Sequence, residues 1–171
     1  KKAKDQSGIS PVDVEIIIIY VNEFLGKLDM PKMDDPRFEN PLPFNYDKLK
    51  EDYKMSSESD LIWMKFTKDG YLGVVACSND INFDIPKHEE EYNVKANCLN
   101  NYTKKYEVVW KYNTSGILVH SVDKSWDESF VLIFPLINIP DGLSRKDIET
   151  SIGKYLIEKG VPIIDFYSHN Y

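Results

Sequence analysis

Cysteine and arginine are the scarce residues of this 171-residue chain: two cysteines, Cys77 and Cys98, and two arginines, Arg37 and Arg145. Neither cysteine has a second ligand at CxxC or CxxxH spacing, so no zinc cluster is expected. Cys77 alternates with Val75 in an apolar run and reads as a core thiol, and a bridge to Cys98 would need an oxidising compartment. With lysine supplying nearly all positive charge, a net charge of −7 and a pI near 5.0, the chain lacks the basic, arginine-bearing face that phosphate backbones demand. Nucleic acid is therefore not an expected partner. No apolar run approaches the roughly 18 to 20 residues of a membrane span, and a cytoplasmic location is expected. The chain opens on Lys1 rather than methionine, which leaves a secreted or anchored form open.

Catalytic signatures are also missing. Of the eight glycines, Gly70 and Gly73 fall in a hairpin rather than before a helix, and Gly142 is a single turn glycine, so no glycine-rich phosphate loop is expected. Three histidines occur, His88, His120 and His169. His88 is followed by three glutamates, but Tyr92 stands where an HExxH metalloprotease helix needs its second histidine. No E-x-K on an expected strand could hold a nuclease magnesium, and no Ser-His-Asp or Cys-His pair has useful spacing. Neither a cofactor nor a metal is expected.

What is present is a folding composition: 42% hydrophobic and 13% aromatic residues, enough for a single globular domain over 1–171. Residues 1–8 read as a loose polar tail. Residues 26–45, with Pro31, Pro36, Pro41 and Pro43, read as a proline-rich surface crossing. Ser10-Pro11-Val12-Asp13 opens a helix in which four isoleucines follow, expected to be largely buried from Pro11 to Leu25. A short helix is expected over 46–53. LIWMKFT and YLGVVACS, joined by Lys68-Asp69-Gly70, predict a hairpin. Residues 79–105 look irregular, with a short strand at 81–85 and a helical turn near Glu89.

The most legible stretch is 106–166. YEVVWKY alternates with period two and predicts a strand. The turn formers at 113–116 then predict a hairpin back through ILVHSV. SFVLIFPLINI predicts a central strand covered on both faces, ending or bulging near Pro135. Ser144 as cap, Asp147 in the first turn, the stripe Ile148, Ile152, Tyr155 and Leu156, and the stop Lys159-Gly160 define a helix. VPIIDFY then returns as a parallel strand. The expected fold is α+β: a mostly antiparallel sheet of about five or six strands, an N-terminal helix, and a C-terminal βαβ element whose helix covers one sheet face.

The stretch that suggests function is DKSWDE at 123–128. A tryptophan among acids between two strands suits a partner-binding tip made of Asp123, Trp126, Asp127 and Glu128, with His120 close by. The competing account folds Trp126 back over its own hairpin. The functional expectation is a non-enzymatic, acidic protein-binding domain of the immunity, inhibitor or accessory type, whose partner is another, basic protein. The second reading is an enzyme with a site assembled from dispersed loop residues around His120.

Overall fold

The computed structural model describes residues 10–39, 46–57, 59–77, 93–112 and 114–165. Its centre is the strand Phe130–Pro135, six residues all buried, because Phe130, Leu132 and Phe134 meet apolar partners on one face and Val131 and Ile133 on the other. This strand, β6, lies inside a four-stranded antiparallel sheet of order β1-β6-β2-β3, with β1 at Arg37–Glu39, β2 at Leu61–Phe66 and β3 at Leu72–Cys77. Pro135 pairs with Leu61 at the last register position, so the proline ends the strand where a missing N–H does least harm. The expected hairpin is formed by β2 and β3, with Gly70 at φ 84° in its turn, a value glycine reaches without strain.

One sheet face carries Ile62, Met64, Phe66, Leu132 and Phe134 against two helices, α1 (Val14–Lys27) and α4 (Arg145–Glu158). α1 contributes Ile17, Val21 and Leu25, all inaccessible, at the spacing of four that aligns side chains on one helix face. It is capped by Asp13, whose side chain accepts from Glu15 N, rather than by Ser10. The expectation of a largely buried helix is corrected. Ile16 and Ile19 face solvent, because only one side of a helix can meet the sheet. α4 follows its expected design, with Ser144 and Asp147 forming a reciprocal capping box and Gly160 at φ 85° just past the end. Tyr155 on α4 meets Phe24 on α1 at a ring separation of 5.6 Å and donates to Glu23 at 3.0 Å.

The opposite face carries two smaller clusters. Leu61, Val131 and Ile133 pack against Leu49 and Met55, at and beyond α2 (Tyr46–Tyr53). Val74 packs against Leu118, Val119, Val122 and Trp126. The sheet is thus a middle layer.

Over its described residues, 26–39, the proline-rich crossing is mostly exposed but pinned to the core at three points. Met30, Met33 and Pro36 are buried, and Asn22 clasps Met33 through both its backbone groups at 2.9 Å. Phe38 is half-buried in β1.

Two expectations for the later half are corrected. Residues 117–122 are not the strand that pairs with Tyr106–Tyr112. Thr114–Ser121 is a helix, α3, and Tyr106–Tyr112, β5, pairs instead with the preceding Asn93–Leu99, β4, as a separate two-stranded sheet. Among the described residues the main sheet therefore has four strands, fewer than expected. The C-terminal return is reduced to one parallel bridge, Leu72 to Ile163, with Ile164 N and Asp165 N donating to Leu72 O and Gly73 O. Since β6 and β3 both run antiparallel to β2, the returning segment does run parallel to β6. It docks beyond β3 rather than beside β6. The expected strand at 81–85, the turn near Glu89 and the 1–8 tail lie outside the described residues.

Candidate functional site

The segment expected to be a binding tip is tied down residue by residue. Asp123 takes φ 56° at the end of α3, and Lys124 N returns to Val119 O at 3.1 Å, so this acid closes a helix. Trp126 is bridged to Thr67, and Lys68 N and Asp127 N reach Ser125 O and Phe66 O at 2.9 Å on either side of it. Its indole lies over Gly73, where any Cβ would overlap the ring, and is only 3% exposed. Lys65 Nζ sits 5.1 Å from the indole centroid and donates to both Glu128 oxygens at 3.0 and 3.3 Å. Asp127 Oδ1 accepts from Ser129 N and Oγ, and Lys124 pairs with Asp69 at 3.0 Å. The expectation of an exposed indole is corrected. The glycine in β3 leaves a slot for the ring, and burying an indole stabilises more than presenting it to water. The segment folds back, though over β2 and β3 rather than over its own hairpin. His120 lies in α3, so it shares no strand face with these acids.

A second polar assembly gathers at the start of α4. Asp60, 2% exposed, accepts from Arg145 Nε at 3.0 Å, from Ser57 N at 3.0 Å and from Ser56 Oγ. Burial works against the Asp60 charge, but the Ser56 bond, the Arg145 guanidinium and the Ser57 bonds outweigh it and hold the carboxyl below its ordinary pKa. These groups border an open cleft of about 630 Å³ that includes Ser144 and Lys146. Its cations are engaged, Arg145 with Asp60 and Lys146 with Glu149, each at 2.8 to 2.9 Å. Glu149 is itself buried and accepts from Cys77 N at 2.7 Å. Burial first, then the bond to and charge of Glu149, push the Cys77 thiol up to about 12. Cys77 is a free thiol and, at neutral pH, a poor nucleophile. Among the described residues no three His, Cys, Asp or Glu side chains gather around a point that could hold a metal ion, and no helix is long and apolar enough to cross a membrane.

Leu143, 41% exposed, lines the cleft, and among the described residues the other exposed large apolar side chains lie in two places. On α1, Ile16 is 43% and Ile19 55% exposed, one turn apart on the side away from Ile17, Val21 and Leu25, with exposed Glu15 and Glu23 beside them. On the β4–β5 ribbon, Leu99, Tyr102 and Tyr106 are exposed by 47%, 97% and 73%. Sequence reasoning passed over both. The α1 stripe was hidden because four consecutive isoleucines look uniformly apolar until they are set 100° apart on a helix. The ribbon tip was hidden because residues 79–105 show no period along the sequence. Comparison of the chain with protein-family models, curated proteins and solved structures finds no match.

Proposed function

We propose that this chain is a non-enzymatic domain that binds another protein, of the immunity, inhibitor or accessory type, and that the outer face of α1 makes the contact. The observation that supports this reading is Ile19, a large side chain more than half exposed in mid-helix, with Ile16 one turn away. Fully burying an isoleucine is worth about 1.5–3 kcal/mol, and much of that remains unrealised at both positions. The inner face of α1 is anchored in the main core, so the outer stripe is held rigid and loses little entropy on docking. Glu15 at its margin, within a chain of net charge −7, favours a partner whose apolar ridge is edged by lysine or arginine.

The test uses a partner captured from the native host, then purified and titrated. Ile16→Lys with Ile19→Lys is expected to weaken binding at least tenfold while leaving the melting temperature within a degree or two, and raising salt is expected to slow association. Unchanged affinity in the double variant would remove α1 as the contact. Trp126, buried against Gly73, is not a suitable probe, because its loss would perturb folding.

A further inference from the structure

The β4–β5 ribbon is electrically unlike the chain that carries it. Lys95, Lys104, Lys105 and Lys111 against Glu107 give residues 93–112 a net charge of +3 inside a chain of −7, which leaves −10 on all other residues. The two strands, seven residues each, bond to one another in one sheet, and neither belongs to the main sheet. A two-stranded ribbon is marginal in water without something against its face.

Its tip is nonetheless rigidly built. Asn100 Oδ1 accepts from Tyr102 N and Thr103 N at 2.9 and 3.2 Å, and Asn100 Nδ2 donates to Glu107. Lys104 N donates to Asn100 O at 2.8 Å and Asn100 N to Lys105 O at 2.9 Å, closing the turn, and Lys104 takes φ 57°. This ordered turn holds Tyr102 almost wholly in solvent, with Tyr106 and Leu99 beside it and Lys104 and Lys105 between the two tyrosines. Tyrosines fixed in advance with cations around them have the make-up of an interface anchor.

We infer that the ribbon docks on a second copy of this chain. Each copy supplies both signs: a basic arm with an apolar tip, and an acidic remainder that attracts it. Each ribbon is about 23 Å long at the usual strand rise. One such arm covers too little surface for a stable complex, whereas two arms exchanged about a twofold axis double the buried area. The resulting dimer is weak, salt-sensitive and independent of α1. A polyanion such as single-stranded nucleic acid would meet the same lysines and tyrosines, but it would also meet the repulsion of the −10 remainder and find no arginine in the ribbon.

The experiment is sedimentation equilibrium of the full chain over a wide concentration range, at low and at 0.5 M salt, with Tyr102→Ala and with Lys104→Glu plus Lys105→Glu. Tyr102 and both lysines are exposed, so circular dichroism should show all variants folded. Dimerisation that weakens at least tenfold at high salt, and at least tenfold in each variant, supports the inference. A monomer at every concentration overturns it. So does a dimer indifferent to the variants or to salt, since its contact would then lie elsewhere, and so does binding of a labelled oligonucleotide in place of self-association. The α1 double variant run alongside should dimerise normally. Its failure to do so would show that self-association uses the face assigned above to another protein.

Discussion

Gly73 and Trp126 show how far one residue's smallness can decide where another goes. A methyl group at Gly73 would overlap the indole, and the ring cannot withdraw, because the backbone bonds on either side of it fix its chain to β2 and the turn. Gly73→Ala is therefore expected to cost about 2–3 kcal/mol, the upper part of the overpacking range. Trp126→Leu relieves the overlap while opening a cavity, so the double variant should cost clearly less than the sum of the two single variants. Urea unfolding of all three measures the coupling, and strict additivity would mean that the ring does not lie over Gly73. Asp60 makes a second prediction at this scale. Its folded pKa is depressed, so its contribution is fully present above the unfolded value near 4. That contribution is lost as pH falls through the unfolded and then the folded value. Asp60→Asn should lower stability by about 1–3 kcal/mol at pH 7, a range for bonds to charged groups that allows for the partial exposure of Arg145. The gap to the parent chain should narrow on acidification toward pH 3, and a gap that stays constant would contradict the assigned charge state.

Elements were legible in the sequence where local signals and tertiary demands agreed. The capping box and terminal glycine of α4, the D-G hairpin of β2 and β3, and the doubly covered β6 each combine a periodic pattern with a definite start or stop. α3 was misread because ILVHSV suits either period. Three apolar residues in succession followed by two polar ones satisfy a short strand, yet the side chains that are buried, Leu118, Val119 and Val122, have helical spacing. What selected the helix was the surface offered by Val74, more than forty residues earlier, together with Trp126 just beyond the helix. The exposure expected of Trp126 was misjudged for the same reason. Its charges and indole suggested exposure, while the partners that bury and pair them, Lys65, Asp69 and Gly73, belong to a different hairpin. The α1 surface needed only the helical period, and it was lost by treating apolar as synonymous with buried.

The whole molecule divides its stability unevenly. β6 and β2 form the middle of the sheet, with apolar side chains packed on both faces, so opening either strand exposes two clusters at once. Their amides are expected to exchange only on global unfolding. The β4–β5 ribbon has no strand in the main sheet, and its tip side chains are in water, so its cross-strand bonds can open without disturbing that core. Native-state hydrogen exchange should therefore place Ile62, Met64, Leu132 and Ile133 in the slowest class and Ala96, Asn97 and Val108 in a class faster by orders of magnitude. Lowering protein concentration should speed exchange in the ribbon alone, since dissociation of a ribbon-mediated dimer would leave the sheet untouched. If ribbon and sheet amides exchange together at every concentration, the ribbon is part of the cooperative core, and the separation of a stable sheet from an adjustable arm does not hold.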